Sequence, residues 1–123
     1  MNMAKTSIAP MLSVRRGAEA VDFYKAAFGA EELFRIDAED GSVVAQLAVG
    51  GAAFWVSDES PAHQNFSPES LNGGTVRMVM TIEDPDAMFD RAVSAGGKVV
   101  TPMKNDYGWR LVEWPIRSGI TGK

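Results

Sequence analysis

Three side chains could form a binding site: Trp55, Arg77 and Gln46. An indole slab, a cationic fork and an amide together suit a small planar or anionic organic molecule, through stacking, charge and hydrogen bonding. Strand alternation turns all three toward one cleft, together with Met11, Ser13 and Thr81. The same residues also fit a plainer arrangement, in which Trp55 fills a cavity and Arg77 pairs with one of the sixteen carboxylates.

Other chemistry is poorly provided for. The chain has no cysteine and a single histidine, which removes thiol nucleophiles, disulfides and histidine-rich metal sites. His63 sits in the Pro61–Asn65 segment and reads as a surface-loop residue. Asp58 and Glu59 could serve as acid and base only if their loop folds over the site. Gly50-Gly51 and Gly73-Gly74 are turn glycines with no helix start behind them, so no phosphate loop and no nucleotide cofactor are indicated. A net charge of -4 and a pI near 4.9 argue against a nucleic-acid partner. There is no apolar run of the roughly eighteen residues a membrane span requires and no signal-peptide pattern at the N-terminus. The expectation is a cytoplasmic protein.

The elements that must position these side chains are stated twice in the sequence. MLSV leads through RRGAEAVDFYKAAFGAEELF, and MVMTI leads through EDPDAMFDRAVSAGGKVV. Each copy reads as an apolar strand, a polar break, a helix with an aromatic on its buried face, then glycine and a strand. Such repetition inside one small domain predicts a pseudo-symmetric fold with a cleft between its halves. At 123 residues and 46% hydrophobic, the chain is long enough for one buried core.

In the first half a strand over Thr6 to Val14 carries Pro10, which favours an edge position. Val21, Tyr24 and Phe28 mark the buried stripe of a helix from Gly17, and Gly29 takes its C-terminal cap. Strands follow at Glu32 to Ile36, Ser42 to Val49 and Ala52 to Ser57, separated by Glu39-Asp40-Gly41 and Gly50-Gly51. The stretch from Asp58 to Gly74 lacks periodicity and reads as a linker. In the second half a strand spans Thr75 to Ile82. Asp84 caps a helix that opens with Pro85 and buries Met88, Phe89, Ala92 and Val93. Two more strands fall at Lys98 to Met103 and Trp109 to Trp114, and SGITGK is a poor candidate for another.

MLSVRRGAEAVDFYKAAFGAEE, SDESPAHQNFSPESLNGGT and IEDPDAMFDRAVSAGGKVVTPM resemble the glyoxalase, bleomycin-resistance and extradiol-dioxygenase superfamily, the vicinal oxygen chelate fold, and within it the PhnB-like branch. The resemblance covers roughly residues 7 to 110. It implies an α+β fold of two βαβββ modules, 7–58 and 74–116, joined by loop 59–73 in the single domain 1–123. Metal-using members place ligands at positions that correspond here to Ala9, Trp55 and Arg77, with a fourth from a terminal Glu segment. Neither alanine nor tryptophan is a ligand, and a guanidinium has no lone pair to offer. The resemblance therefore implies a metal-independent binder of a small organic molecule, with no catalytic residue, no metal and no cofactor. A register slip of one residue would reverse every face. The alternative is then a metal-dependent lyase, isomerase or dioxygenase with oxygen ligands among Glu32, Asp37, Asp58 and Glu83. A third reading is a non-catalytic dimeric remnant.

The family's terminal segment resembles GRxxDPFGHxWEI, whereas this chain has VEWPIRSGITGK. Codons compatible with Val112–Lys123, with one G restored before them, read GRMADPFGHHWE. This implies a single-nucleotide deletion near codon 112 and a second module without its usual last strand. An uncovered sheet edge calls for a partner, so a homodimer is expected.

Overall fold

A computed structural model describes residues 6–73, 76–97, 101–106, 109–113 and 121–122. One order of elements occurs twice: strand, helix and three strands. The first run is β1 (Met11–Val14), α1 (Gly17–Phe28), β2 (Glu31–Asp37), β3 (Val43–Val49) and β4 (Ala52–Asp58). A short helix, α2 (Pro68–Leu71), lies in the connection. The second run is β5 (Val79–Met80), α3 (Pro85–Ser94), β6 (Thr101–Asp106), β7 (Trp109–Glu113) and β8 (Thr121–Gly122).

The first run makes a four-stranded sheet in the order β1-β4-β3-β2, with β1 parallel to β4 and the other pairs antiparallel. Pro10 precedes an edge strand, as its missing N–H requires, and its carbonyl accepts from Trp55 N at 2.8 Å. Gly50 and Gly51 have φ of 56° and 84°, the paired left-handed turn that a two-residue hairpin between β3 and β4 needs.

One face of this sheet carries Leu12, Val14, Val43, Ala45, Leu47, Phe54 and Val56, all buried, and against it α1 packs Val21, Tyr24, Ala27 and Phe28. Tyr24 meets Phe54 edge to face at 5.7 Å. The helical stripe and the Gly29 cap are where the sequence puts them, with Gly29 N–H donating to Lys25 O at 3.1 Å.

The second run leans on the same core. Ala92 is fully buried in it, and Met78, Met80, Met88 and Phe89 pack around it. Arg91 of α3 reaches the end of α1, where Nε donates to Ala26 O at 2.8 Å and Nη2 to Lys25 O at 3.3 Å. Asp84 caps α3 as expected, accepting from Ala87 N at 3.1 Å, with Pro85 in the first turn.

Four expectations change. Val93 is 43% exposed, because α3 meets the core along a narrow stripe centred on Ala92. The strand expected over Thr75 to Ile82 is β5 alone, two residues long; Thr75 lies outside the described residues. The 59–73 connection is structured: Pro61–His63 forms a 3₁₀ turn, and Ser67 caps α2 by accepting from Ser70 N at 3.1 Å. SGITGK does supply a strand, since β8 runs parallel to β5 as β4 does to β1. Among the described residues it pairs two, where β4 has seven residues. The expected strand residues 98–100 and the tail residues 114–120 and 123 lie outside the described residues.

Candidate functional site

With Leu12, Val14, Ala45, Leu47 and Val56 turned toward α1, their alternates form the sheet's open face. Register builds that face in rows. Met11, Trp55, Gln46 and Phe34 are successive cross-strand partners on β1, β4, β3 and β2. Ser13, Ser57, Val44 and Ile36 form the next row. Four of the six residues expected to make the site, Met11, Ser13, Gln46 and Trp55, are thus brought together on one surface.

Arg77 and Thr81 flank β5 and are exposed. Met78 and Met80 pack toward the core, so alternation sends Arg77, Val79 and Thr81 the other way. Among the described residues, neither Arg77 nor Thr81 is hydrogen-bonded or ion-paired with the four residues of the first sheet.

The open face holds three residues that sequence reasoning missed. Phe34 packs edge to face on Trp55, with ring centroids 5.9 Å apart, and Ile36 stands beside it. Met11, Phe34 and Ile36 are 53%, 46% and 53% exposed, an apolar rim around the indole. Their signal was present: Phe34 and Ile36 alternate with Arg35 and Asp37, which hydrogen-bond each other. The third is Asn65, whose amide oxygen accepts from the hydroxyl of Ser13. No local pattern connects two residues 52 positions apart.

The charged candidates are occupied elsewhere. Asp58 pairs in register with buried Val14, on the helix side, and its carboxylate accepts from Gly17 N at 2.9 Å and Val43 N at 2.7 Å. A β-carbon at Gly17 would collide with that carboxylate, so a larger residue there would push Asp58 off its two bonds. Glu59 accepts from Ser67 N at 2.7 Å and Ser70 Oγ at 2.8 Å, with Arg15 3.8 Å away. These bonds, the Ser67 N–H first, hold its carboxyl below the ordinary carboxylate value. Glu32 is bonded to Lys25 at 2.9 Å, which lowers its pKa in the same way. Asp37 pairs with Arg35 at 3.1 Å, and Glu83 is exposed. His63 is exposed on its turn and shares a 2.7 Å hydrogen bond between Nδ1 and Ser60 Oγ.

Among the described residues, no three His, Cys, Asp or Glu side chains gather where a metal could be held. The three positions that the resemblance read from the sequence implied for ligands carry no metal-binding group. Ala9 has no donor atom, the indole of Trp55 offers only an N–H, and Arg77 stays cationic. No helix among the described residues is long and apolar enough to cross a membrane.

Comparison with known proteins gives the geometry a context. Residues 7–114 match the Glyoxalase/Bleomycin resistance protein/Dioxygenase superfamily. An uncharacterized protein of Mycobacterium bovis is 37% identical over 118 residues, covering 93% of this chain and 74% of the relative. A Mycobacterium tuberculosis relative has the same identity, and there the match covers 66% of its length. The structure of a gene product from Arabidopsis thaliana superposes with a TM-score of 0.68 at 25% identity, covering 98% of this chain and 97% of that one. The fosfomycin resistance protein FosX of Listeria monocytogenes, in complex with Mn(II) and a dihydroxypropylphosphonic acid, superposes with a TM-score of 0.63 at 13% identity, covering 98% and 90%. At that identity the likeness is one of fold.

Proposed function

The chain belongs to the glyoxalase/bleomycin resistance protein/dioxygenase superfamily, and from that premise we propose that it is a metal-independent binder of a small organic molecule. The observation that carries this reading is the row Met11–Trp55–Gln46–Phe34: an indole with an edge-on phenyl and an adjacent amide, on an exposed sheet face. Trp55 stacks on the ligand, Gln46 hydrogen-bonds to it, Met11 and Ser13 border it, and Arg77 and Thr81 approach from the second module, Arg77 supplying charge. The residues at the family's ligand positions support the absence of a resident metal.

Four finer features belong to the same proposal. The chain is of the PhnB-like kind and acts in the cytoplasm. Its tail from Val112 derives from a single-nucleotide frame change. It pairs with a second copy of itself, because a ladder of only two residues between β5 and β8, among the described residues, is a short cover for a sheet edge. That same short strand favours a second reading, a non-catalytic dimeric remnant.

The test is calorimetric titration of chelator-stripped protein with Ni²⁺, Zn²⁺ and Mn²⁺. The expected result is no stoichiometric binding tighter than micromolar. Tight binding of any of the three would replace this reading with a metal-dependent lyase, isomerase or dioxygenase.

A further inference from the structure

The connection between the two runs delivers a polar group to the open face. Ser60 and Asn65 form an isolated antiparallel bridge, with Ser60 N donating to Asn65 O at 2.8 Å and Asn65 N to Ser60 O at 3.0 Å. Inside that bridge His63 N donates to Ser60 O at 2.9 Å, and Gln64 adopts a left-handed φ of 59° to close the turn. On either side Glu59 accepts from Ser67 N, and Ser67 caps α2. The backbone of Asn65 is therefore held from several directions. Its side chain is held too, because the hydroxyl of Ser13 donates to its Oδ1.

That bond decides which end of the amide is offered. With Oδ1 engaged by Ser13, the two N–H groups on Nδ2 have no acceptor among the described residues. No buried side-chain nitrogen or oxygen lacks a partner there, so these donors lie at the accessible surface. Ser13 belongs to the open face, in the row next to Trp55 and Gln46. The rows through Trp55 and Val44 contain Met, Trp, Gln, Phe, Ser, Val and Ile and no charged side chain. Glu31 stands one row further out, paired with Ala48.

We propose that Asn65, oriented by Ser13, is the residue that selects the ligand, by donating an amide hydrogen bond to an acceptor oxygen on the planar, uncharged ring that lies over Trp55. The inference rests on the binding-face reading above and narrows its ligand class. An apolar, uncharged floor favours a neutral ring over these rows, since a charged ring would lose its hydration there with no counter-charge, and any charged group of the ligand lies beyond them, toward Arg77. A fixed donor at the end of that floor discriminates between ring systems by whether their edge carries a carbonyl.

Fluorene and 9-fluorenone test this, because they share one planar tricyclic frame and differ in a single carbonyl. Titration into ¹⁵N-labelled protein reads the indole of Trp55 and the side-chain amides of Gln46 and Asn65 separately. Fluorenone is expected to bind about fivefold more tightly than fluorene, the value of one neutral hydrogen bond, and to shift the Asn65 amide where fluorene does not. Asn65→Asp keeps an acceptor for Ser13 and removes both N–H donors. It should abolish the preference and leave fluorene affinity within about twofold, well inside one hydrogen bond. Ser13→Ala frees the amide and should give an intermediate preference with the fold intact. Equal binding of the two compounds to the unaltered protein, or a preference surviving in Asn65→Asp, overturns the role of Asn65 and leaves the binding face standing. If neither compound shifts Trp55 and Gln46, the binding face fails and Asn65 with it.

Discussion

Helix α1 buries Val21, Tyr24, Ala27 and Phe28, whereas α3 buries Ala92 alone among its residues. Strand β1 lies beside a seven-residue β4, and β5 beside a two-residue β8. The two runs share an order of elements but not a depth of packing. Among the described residues, the aromatics of the first run are the more deeply buried. Tyr24 meets both Phe28 and Phe54 in the first run, whereas among the described residues the second contributes Ala92 to that cluster and Met78, Met80, Met88 and Phe89 only partly buried against it. Repetition of a pattern thus fixes where elements go, while side-chain volume decides which half becomes the scaffold.

Removing apolar volume from the helix or sheet of each half tests this difference. Leu47 is fully buried in β3, and Leu47→Ala should cost about 3 kcal/mol, the transfer loss plus the cavity left behind. Val93→Ala on α3, at a site 43% exposed, should stay within about 0.5 kcal/mol. Urea denaturation of both variants measures the contrast. Similar losses would mean that the halves carry equal shares of one core.

The helix starts differ in the same sense. The residue before α1, Arg16, offers no side-chain cap, and the first N–H of the helix is taken by Asp58 from the far end of β4. The start of α3 is capped locally by Asp84. Asp58→Ala strands two backbone donors, Gly17 N and Val43 N, and should lose about 2 kcal/mol. Asp84→Ala removes an ordinary N-cap and should lose about 1 kcal/mol. The reverse ranking in denaturant midpoints would put the local cap above the long-range tie.

What the sequence disclosed follows the same division. The α1 stripe, the Gly29 cap, the three strands β2 to β4 and the Asp84 cap were legible because each rests on short-range periodicity or turn chemistry. Trp55 and Gln46 were legible as face-mates because strand alternation is strict. Phe34 and Ile36 were overlooked although they alternate with Arg35, since the irregularity between Glu32 and Phe34 breaks the register and no residue of β2 is buried to mark an inward face. Asn65 and the dual role of Asp58 could not be seen, because each depends on a contact that only the folded chain creates. The exposure of Val93 was hidden too, as an amphipathic stripe does not report how wide a groove it meets.

The smallest expected effect lies between the two runs and concerns pH. Glu59 joins Arg15, just after β1, to Ser67 and Ser70 at α2. The Ser67 N–H above all, then the Ser70 hydroxyl, lowers its pKa beneath the ordinary value of 4.5. A carboxyl lowered on folding binds its proton more weakly in the folded chain than in the unfolded one. Its stabilisation is therefore complete above 4.5, weakens as the pH falls below that value, and is gone once the pH has passed the folded pKa. The effect should be local, because Glu59 is screened by solvent. Amide exchange at Ser67, corrected for its intrinsic pH dependence, should accelerate across that window while Leu47 and Val56 in the sheet stay protected. Glu59→Gln should remove the step at Ser67, since an amide neither titrates nor accepts as strongly. If Ser67 and the sheet instead loosened together, the connection would be part of the first run's cooperative core rather than a separately held strap that carries Asn65 to the open face.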